Sequence, residues 1–345
     1  RPMWFALDGE KAEYEYSYNY QSWYPSAEYE TNNTVKNVGL FDLTPFSKFE
    51  IKSDKAHQEL QKICTANIKN EPGKCVYTHM LNSDGGIETD LTVVCVDKNH
   101  FRIISSAATR ERDKFHINKH LSKNVELKDI TDDLCVFGLF GPKSRDLLKT
   151  LSEDNFENDQ FRFGFAKFIT IDGVKIWAQR LSYVGELGYE LYVDLKNAKK
   201  IYELLIEKGK DFNLSNCGMH AMDIMRMESG FLHWGHDISP EENQYQAGLA
   251  FTISNKKDVD FIGKQALEKI KQDKVKTRFS MFTLKESEPG KPLLLHDEPI
   301  YEGEKIIGRS TSGNYSFNFK KNLVFGYINN DFSNEELQNK NLFIE

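Results

Sequence analysis

Val76-Tyr77-Thr78-His79-Met80-Leu81-Asn82-Ser83-Asp84-Gly85-Gly86-Ile87-Glu88-Thr89-Asp90-Leu91-Thr92-Val93-Val94 reads as a β-hairpin whose second strand carries an acid that strands seldom tolerate. Asn82 to Gly86 form the turn, because two glycines that accept φ > 0 follow turn-forming polar residues. Beyond the turn, alternation sets Ile87, Thr89, Leu91 and Val93 on one face and Glu88, Asp90, Thr92 and Val94 on the other. Asp90 has two readings on this pattern: a group on the wet side of an antiparallel sheet, or a catalytic carboxylate at the mouth of a pocket. Both stand open on the hairpin alone.

Around the hairpin, 345 residues suggest two or three domains with ample length to bury apolar surface. Lys and Arg total 45 against 52 Asp and Glu, a net charge of −7, so neither nucleic acid nor an anionic membrane is an expected partner. Aromatics make up 12%, with 24 Phe and 15 Tyr, which suits filled cores and planar-ligand pockets alike. Cys64, Cys75, Cys95, Cys135 and Cys217 are odd in number, widely spread and lack a Cys-x-x-Cys pair, arguing against a disulfide framework or a zinc site. A reducing compartment, the cytoplasm, is the expectation. No apolar run approaches the ~20 residues that span a bilayer, and no secretion signal opens the chain. The start at Arg1-Pro2-Met3-Trp4 and the strand-like end Asn341-Leu342-Phe343-Ile344-Glu345 lead us to expect a piece of something longer.

Residues 1–35 read as a packed, irregular, aromatic arm. Strand-like sequence at Val38–Ile51 is broken at Pro45, and Ala56, Leu60 and Ile63 mark a helix near Asp54–Cys64. After the hairpin come strands at Phe101–Ser105 and Asp133–Leu139 and helices at Thr109–Leu121 and Pro142–Leu151, the last with Pro in its first turn. Strands at Phe165–Ile171, Val174–Leu181 and Tyr189–Val193, and a helix near Ala198–Lys208, repeat that grammar. Hairpins beside helices predict an α+β fold. A helix from Met219 to Ser229 ends at Gly230, and the charged segment Glu268–Lys276 leads into strands near Phe279–Leu284, Lys305–Ser310 and Leu323–Ile328. The expected division is a core at 1–273, of two α+β subdomains, and a β-rich domain at 274–345. No Gly-x-Gly-x-x-Gly or phosphate loop supports dinucleotide binding.

Beside Asp90, two further features could carry chemistry. Glycines flank Glu186 in Tyr183-Val184-Gly185-Glu186-Leu187-Gly188, either as a plain hairpin turn or as a loop tip where backbone approaches a ligand. In Met219-His220-Ala221-Met222-Asp223-Ile224-Met225-Arg226-Met227-Glu228, the methionines Met219, Met222 and Met225 share an apolar face, while His220, Asp223 and Arg226 share another. A core-packing helix with an ordinary Asp223–Arg226 pair explains that pattern as well as a site does. His233-Trp234-Gly235-His236-Asp237 matches no zinc spacing, so no metal is assigned.

Six motifs then occur in order: Val38-Gly39-Leu40-Phe41-Asp42-Leu43, Leu81-Asn82 through Asp90-Leu91, Tyr183 through Leu191, Arg226-Met227-Glu228-Ser229-Gly230, Phe261-Ile262-Gly263-Lys264-Gln265-Ala266-Leu267 and Gly308-Arg309-Ser310-Thr311-Ser312-Gly313. Together they resemble the tetrahydrofolate-dependent aminomethyltransferases, the glycine-cleavage T-protein and its relatives. The opening Arg1-Pro2-Met3-Trp4-Phe5-Ala6, the Tyr14-Glu15-Tyr16-Ser17-Tyr18 run and His233 to Ile238 look like the folate-binding C-terminal halves of dimethylglycine and sarcosine dehydrogenases.

The resemblance implies a cloverleaf folate-binding fold with a C-terminal β-barrel-like domain, tetrahydrofolate as cofactor, and formation of 5,10-methylenetetrahydrofolate from an aminomethyl or iminium donor. It assigns catalysis to Asp90, pterin binding to Glu186 and Arg226, and pocket-lining roles to Tyr183 and Tyr77. T-proteins carry Asp-Asp where this chain has Thr89-Asp90, so only Asp90 transfers. As partners it implies a lipoyl carrier protein or a flavin dehydrogenase module. Two rivals are methyl transfer from another small donor such as a sulfonium, and a folate-binding regulatory protein without turnover.

Overall fold

The alternation around Asp90 materialises as two paired strands, and the face that carries the acid is partly covered. The computed structural model describes residues 1–329 and 332–345. In chain order its elements begin α1 (Tyr24–Lys36), β1 (Val38–Asp42), β2 (Ser47–Lys52), α2 (Ala56–Ile63), β3 (Cys75–Leu81), β4 (Ile87–Asp97), β5 (His100–Ser105) and α3 (Arg110–His120). They continue with β6 (Leu127–Asp129), β7 (Leu134–Phe140), α4 (Ser144–Leu151), β8 (Ala166–Ile171), β9 (Val174–Gln179), β10 (Gly188–Asp194), α5 (Ala198–Gly209), β11 (Leu214–Cys217) and α6 (Met219–Glu228). The last third holds α7 (Lys264–Asp273), β12 (Thr277–Thr283), β13 (Pro299–Glu302), β14 (Lys305–Ser316), β15 (Lys321–Asn329), α8 (Asn334–Gln338) and β16 (Leu342–Ile344).

These strands make three sheets, ordered β11-β1-β7-β10-β9-β8, β3-β4-β5-β2-β6 and β12-β15-β14-β13-β16. Pairing is antiparallel except between β1 and β11, as expected where hairpins make most connections. Apolar residues on one face of the first sheet, among them Leu139, Ile176 and Leu191, pack beneath Leu147 and Leu148 of α4 and Ile201 and Leu205 of α5. One face of the second sheet, with Leu91, Val93 and Met80, packs against Leu60 of α2 and Ile117 of α3. The remaining faces of these two sheets close on each other around Phe41, Val94, Ile104, Trp177 and Tyr192, and α6 adds Met222 and Met225 to that layer. Each of those methionines contributes about 1.5–3 kcal/mol by leaving water. The same layer takes in Val94 from the face of β4 that bears Asp90, while Asp90 itself stays partly exposed at the layer's edge.

Several expectations shift. A helix, α1, occupies part of the arm read as irregular; its buried residues include Ser26, Glu30, Thr31, Asn33 and Thr34, so no apolar stripe advertised it. The short strands β6, β11 and β13 carry too few residues for alternation to register. Helix α4 starts at Ser144, two residues beyond Pro142, and α7 begins at Lys264, ahead of the charged segment that suggested it. Among the described residues the C-terminal sheet does not close into a barrel, because β12 pairs only with β15 while the three-residue β16 pairs only with β13.

Candidate active site

The hairpin tip is clasped from outside the sheet. Asn82 Oδ1 accepts from the backbone of Asp84 and Gly86 at 3.0 and 2.9 Å, closing the turn. The Ile87 amide donates to the Glu242 carbonyl at 2.9 Å, and Trp234 Nε1 donates to the Ile87 carbonyl at 3.0 Å. A Cβ on Gly86 would stand 1.8 Å from the Pro240 carbonyl oxygen, so only glycine lets the crossing segment lie this close.

Register places Asp90 opposite His79, and Tyr77 opposite Thr92 on the same face. Asp90 Oδ1 lies 3.7 Å from His79 Nε2, with side-chain exposures of 20% and 0%. No described residue hydrogen-bonds that buried oxygen. Burial pushes the Asp90 carboxyl up to about 7; nearby Tyr77 opposes this and the Asp113 carboxylate adds to it. Asp113, on α3, accepts from Thr89 Oγ1 at 3.1 Å and Thr109 Oγ1 at 2.6 Å. Thr89 thus occupies the position of the first family acid while a second carboxyl arrives from the helix behind.

A second wall comes from the β9–β10 loop. Gly185 has φ +76° and its missing Cβ would sit 2.1 Å from Ser229 Oγ, so the loop rests directly on the end of α6. Tyr183 donates to the Leu232 carbonyl at 2.7 Å and stacks on Phe231 with ring centroids 5.8 Å apart. Burial raises its hydroxyl pKa, with Asp90, Asp223, Arg226 and Asp237 all in electrostatic reach. Tyr183 therefore stands between the hairpin acid and α6. At the loop tip Glu186 is half-buried and bonds to no described residue, and burial followed by the Glu228 carboxylate raises its pKa. Its acceptors are free for an incoming donor.

Arg226 differs from its assigned role. Its side chain is 2% exposed, and its N–H groups go to Asp223 Oδ1 at 2.8 Å, Asp237 Oδ2 at 2.6 Å, the Phe231 carbonyl at 3.1 Å and Ser312 Oγ at 2.8 Å. Asp237 also accepts from Thr311 and Ser312 of β14 at 2.6 and 2.8 Å, and Asn314 donates to Asp223 at 3.0 Å. Burial would raise the Asp223 carboxyl, but Arg226 holds it below its ordinary value. The arginine fastens α6 to the C-terminal sheet and holds the partly exposed Asp223 in place.

Asp90, Tyr77, Tyr183 and Asp223 converge at the junction of hairpin, loop and α6, with Glu186 three residues beyond Tyr183. His79, Asp113, Phe231 and Phe251 join them without having been anticipated. Tyr77 and His79 share the face of Asp90 because the register shifts between Met80 and Leu81, which alternation alone does not announce. Phe251, strongly exposed, stands 6.4 Å from the Tyr77 ring. No cluster of His, Cys, Asp or Glu among the described residues is arranged to hold a metal ion.

Residues 1–257 match the GCVT N-terminal domain and residues 278–340 the glycine cleavage T-protein C-terminal barrel domain, so the chain belongs to the glycine-cleavage T-protein family. That is a family of tetrahydrofolate-binding transferases acting in one-carbon metabolism. It is 35% identical over 316 residues to the 4-methylaminobutanoate oxidase (formaldehyde-forming) of Paenarthrobacter nicotinovorans, covering 91% of this chain and 38% of the oxidase. With the mitochondrial dimethylglycine dehydrogenase of Rattus norvegicus it is 32% identical over 331 residues, covering 95% and 38%. The chain thus spans well under half the length of these relatives. The glycine cleavage system aminomethyltransferase T from Bartonella henselae shares the fold, with a TM-score of 0.79 at 19% identity over 92% of this chain and 86% of that one. No helix among the described residues is long and apolar enough to cross a membrane.

Proposed function

We propose that this chain catalyses tetrahydrofolate-dependent one-carbon transfer, taking the carbon from an aminomethyl or iminium donor to give 5,10-methylenetetrahydrofolate and a free amine. The observation that carries the reading is Asp90: a largely enclosed carboxyl with one buried, unmet oxygen and a proton affinity lifted to about 7, where a group can both take and release a proton at neutral pH. Tetrahydrofolate, when bound, supplies the nucleophilic amines that accept the carbon. The residues suit such a guest. Glu186 offers two acceptor oxygens to the parallel N–H donors of a pterin edge, and the rings of Tyr77, Tyr183, Phe231 and Phe251 give flat apolar walls. Ionised Asp90 stabilises adjacent positive charge and accepts the proton released there. Arg226 acts at one remove, by keeping Asp223 and the end of α6 in place.

The donor we favour is an N-methylamine oxidised by a flavin module, because the most similar relatives named above are amine-oxidising proteins of which this chain spans 38%. A lipoyl carrier protein is the other partner the family suggests. All five cysteines are free, which suits a reducing compartment. We assign the cytoplasm, and fractionation of tagged protein tests that against the mitochondrial location in the rat relative's name.

The decisive assay supplies tetrahydrofolate and an iminium made from ¹³C-formaldehyde and an amine, with the folate product read by mass spectrometry. Labelled 5,10-methylenetetrahydrofolate should form faster than in buffer, and Asp90→Asn should slow it by at least about tenfold while keeping folate affinity. A 5-methyl product, or no acceleration, overturns the reading.

A further inference from the structure

His79 is wholly buried beside Asp90, and its ring is anchored from behind. Nδ1 lies 3.1 Å from Thr252 Oγ1, in the short 3-10 turn Ala250–Thr252. That hydroxyl donates to the Leu249 carbonyl at 2.7 Å, so towards His79 it acts as an acceptor. Gln244 Nε2 stands 3.3 Å from the same nitrogen, but its hydrogens go to Thr65 Oγ1 and Thr252 Oγ1 at 3.0 and 3.1 Å. Thr252 therefore puts the ring proton on Nδ1 and leaves a lone pair on Nε2. That lone pair faces the Tyr77 hydroxyl at 3.2 Å and the unmet Asp90 Oδ1 at 3.7 Å.

We propose that His79 is the positioning residue of this site: its single Nε2 lone pair accepts from the Tyr77 hydroxyl while Asp90 is ionised and from Asp90 Oδ1–H whenever Asp90 carries a proton, one donor at a time. The role rests on the one-carbon transfer reading for its place in catalysis, though its geometry does not. The proton balance is simple. An N–H bond of the reacting amine breaks, an O–H bond forms on Asp90, and His79 stays neutral throughout, receiving only a hydrogen bond. Its own proton affinity agrees, since burial lowers it to about 3. The 3.7 Å gap needs only a small approach of Oδ1 once that oxygen is protonated. The ionisable groups that face Asp90 are Tyr77 and His79 on β3, Asp113 on α3 and Tyr183 from the opposite wall.

Two variants separate positioning from packing. His79→Asn keeps a polar atom near Nδ1 and loses the one at Nε2; His79→Gln reaches the Nε2 position. His79→Asn should lower kcat at least about tenfold with KM for tetrahydrofolate within about threefold, and should move the pH–rate inflection to lower pH by at least about half a unit. His79→Gln should restore kcat to within about threefold of the parent and return the inflection. An inflection that stays in place in His79→Asn, or equal loss in both variants, overturns the proposal. An activity-independent readout is the ¹⁵N resonance of His79 Nε2 in histidine-labelled protein. It should shift as Asp90 titrates near pH 7 and stay flat in Asp90→Asn. A shift without one-carbon transfer would sink the functional reading and leave His79's role intact; transfer without the shift would do the reverse.

Discussion

Arg226 Nη1 lies 2.6 Å from Asp237 Oδ2, with the two side chains 2% and 0% exposed. Burial works against both charges, and each is kept by the other plus hydroxyl and backbone partners. Burial would lower the Arg226 guanidinium, but Asp223 and Asp237 raise it overall. Arg226→Met should therefore act on stability first. It strands Asp237 in the interior at a cost of roughly 3–5 kcal/mol, which for a protein this size is a Tm loss of at least about 5 °C by calorimetry. Adding Asp237→Asn should return part of that loss. An unchanged Tm with selective loss of folate affinity would mean instead that Arg226 serves the ligand directly.

Asp90 should make stability depend on pH in an unusual sense. Its carboxyl rises from an ordinary 3.8 to about 7 in the folded chain. Between those values the folded state holds a proton the unfolded state lacks, so this residue's contribution is greatest at acid pH and falls as pH climbs to 7. Asp90→Asn removes the titration. The Tm of the variant minus that of the parent should be larger at about pH 8 than at about pH 5 in thermal melts. A difference that does not change with pH would show Asp90 to be solvated.

Glu186 should behave in the opposite way, mattering for binding and little for folding. It has no protein hydrogen bond to lose. A carboxylate accepting two hydrogen bonds supplies roughly 1.5–3 kcal/mol, so Glu186→Ala should weaken tetrahydrofolate binding at least about tenfold by calorimetry, with Tm nearly unchanged. Unaltered affinity would remove Glu186 from the site.

Gly185 tests whether the loop must rest on α6. A methyl there meets Ser229 Oγ at 2.1 Å on a backbone with φ +76°. Gly185→Ala should displace the loop and weaken folate binding by at least about fivefold, since a strained backbone and a clash each cost on the order of 1 kcal/mol or more. Ser229→Gly in the same chain should recover roughly half of that loss, the share due to the clash and not to φ. Normal affinity in Gly185→Ala would show that the loop's seat on the helix is irrelevant to binding.

How much of this was legible varies with the kind of pattern. Alternation from Ile87 onward gave the strand and the correct face for Asp90, and methionines at helical spacing gave α6 and its buried side. What covers a face is written elsewhere in the chain, so whether Asp90 was wet or buried waited for β9, β10 and α6 to be seen against it. Helix α1 buries Glu30 and Asn33, residues whose type points outward, and only their hydrogen-bond partners explain them. The Glu30 carboxylate accepts the Gly218 amide at 2.7 Å, a partner 188 residues away. Asp237 was likewise illegible: it sits in a histidine-flanked run that invites thoughts of a metal, yet its partners are Arg226 and two hydroxyls of β14. His79 faces Asp90 only because the register shifts by one residue between Met80 and Leu81, an irregularity that the turn residues do not announce.

The hydroxyls of Thr311 and Ser312 reach across to Asp237, while Trp234, three residues earlier, grips Ile87 at the foot of the strand that bears Asp90. A cut after Asp273 would therefore not release two independent modules. It would strip the acceptor-rich Asp237 of its hydroxyl donors, loosen the crossing segment, and free the hairpin tip. Because these contacts join residues before α7 to residues after it, we expect the two parts to unfold together.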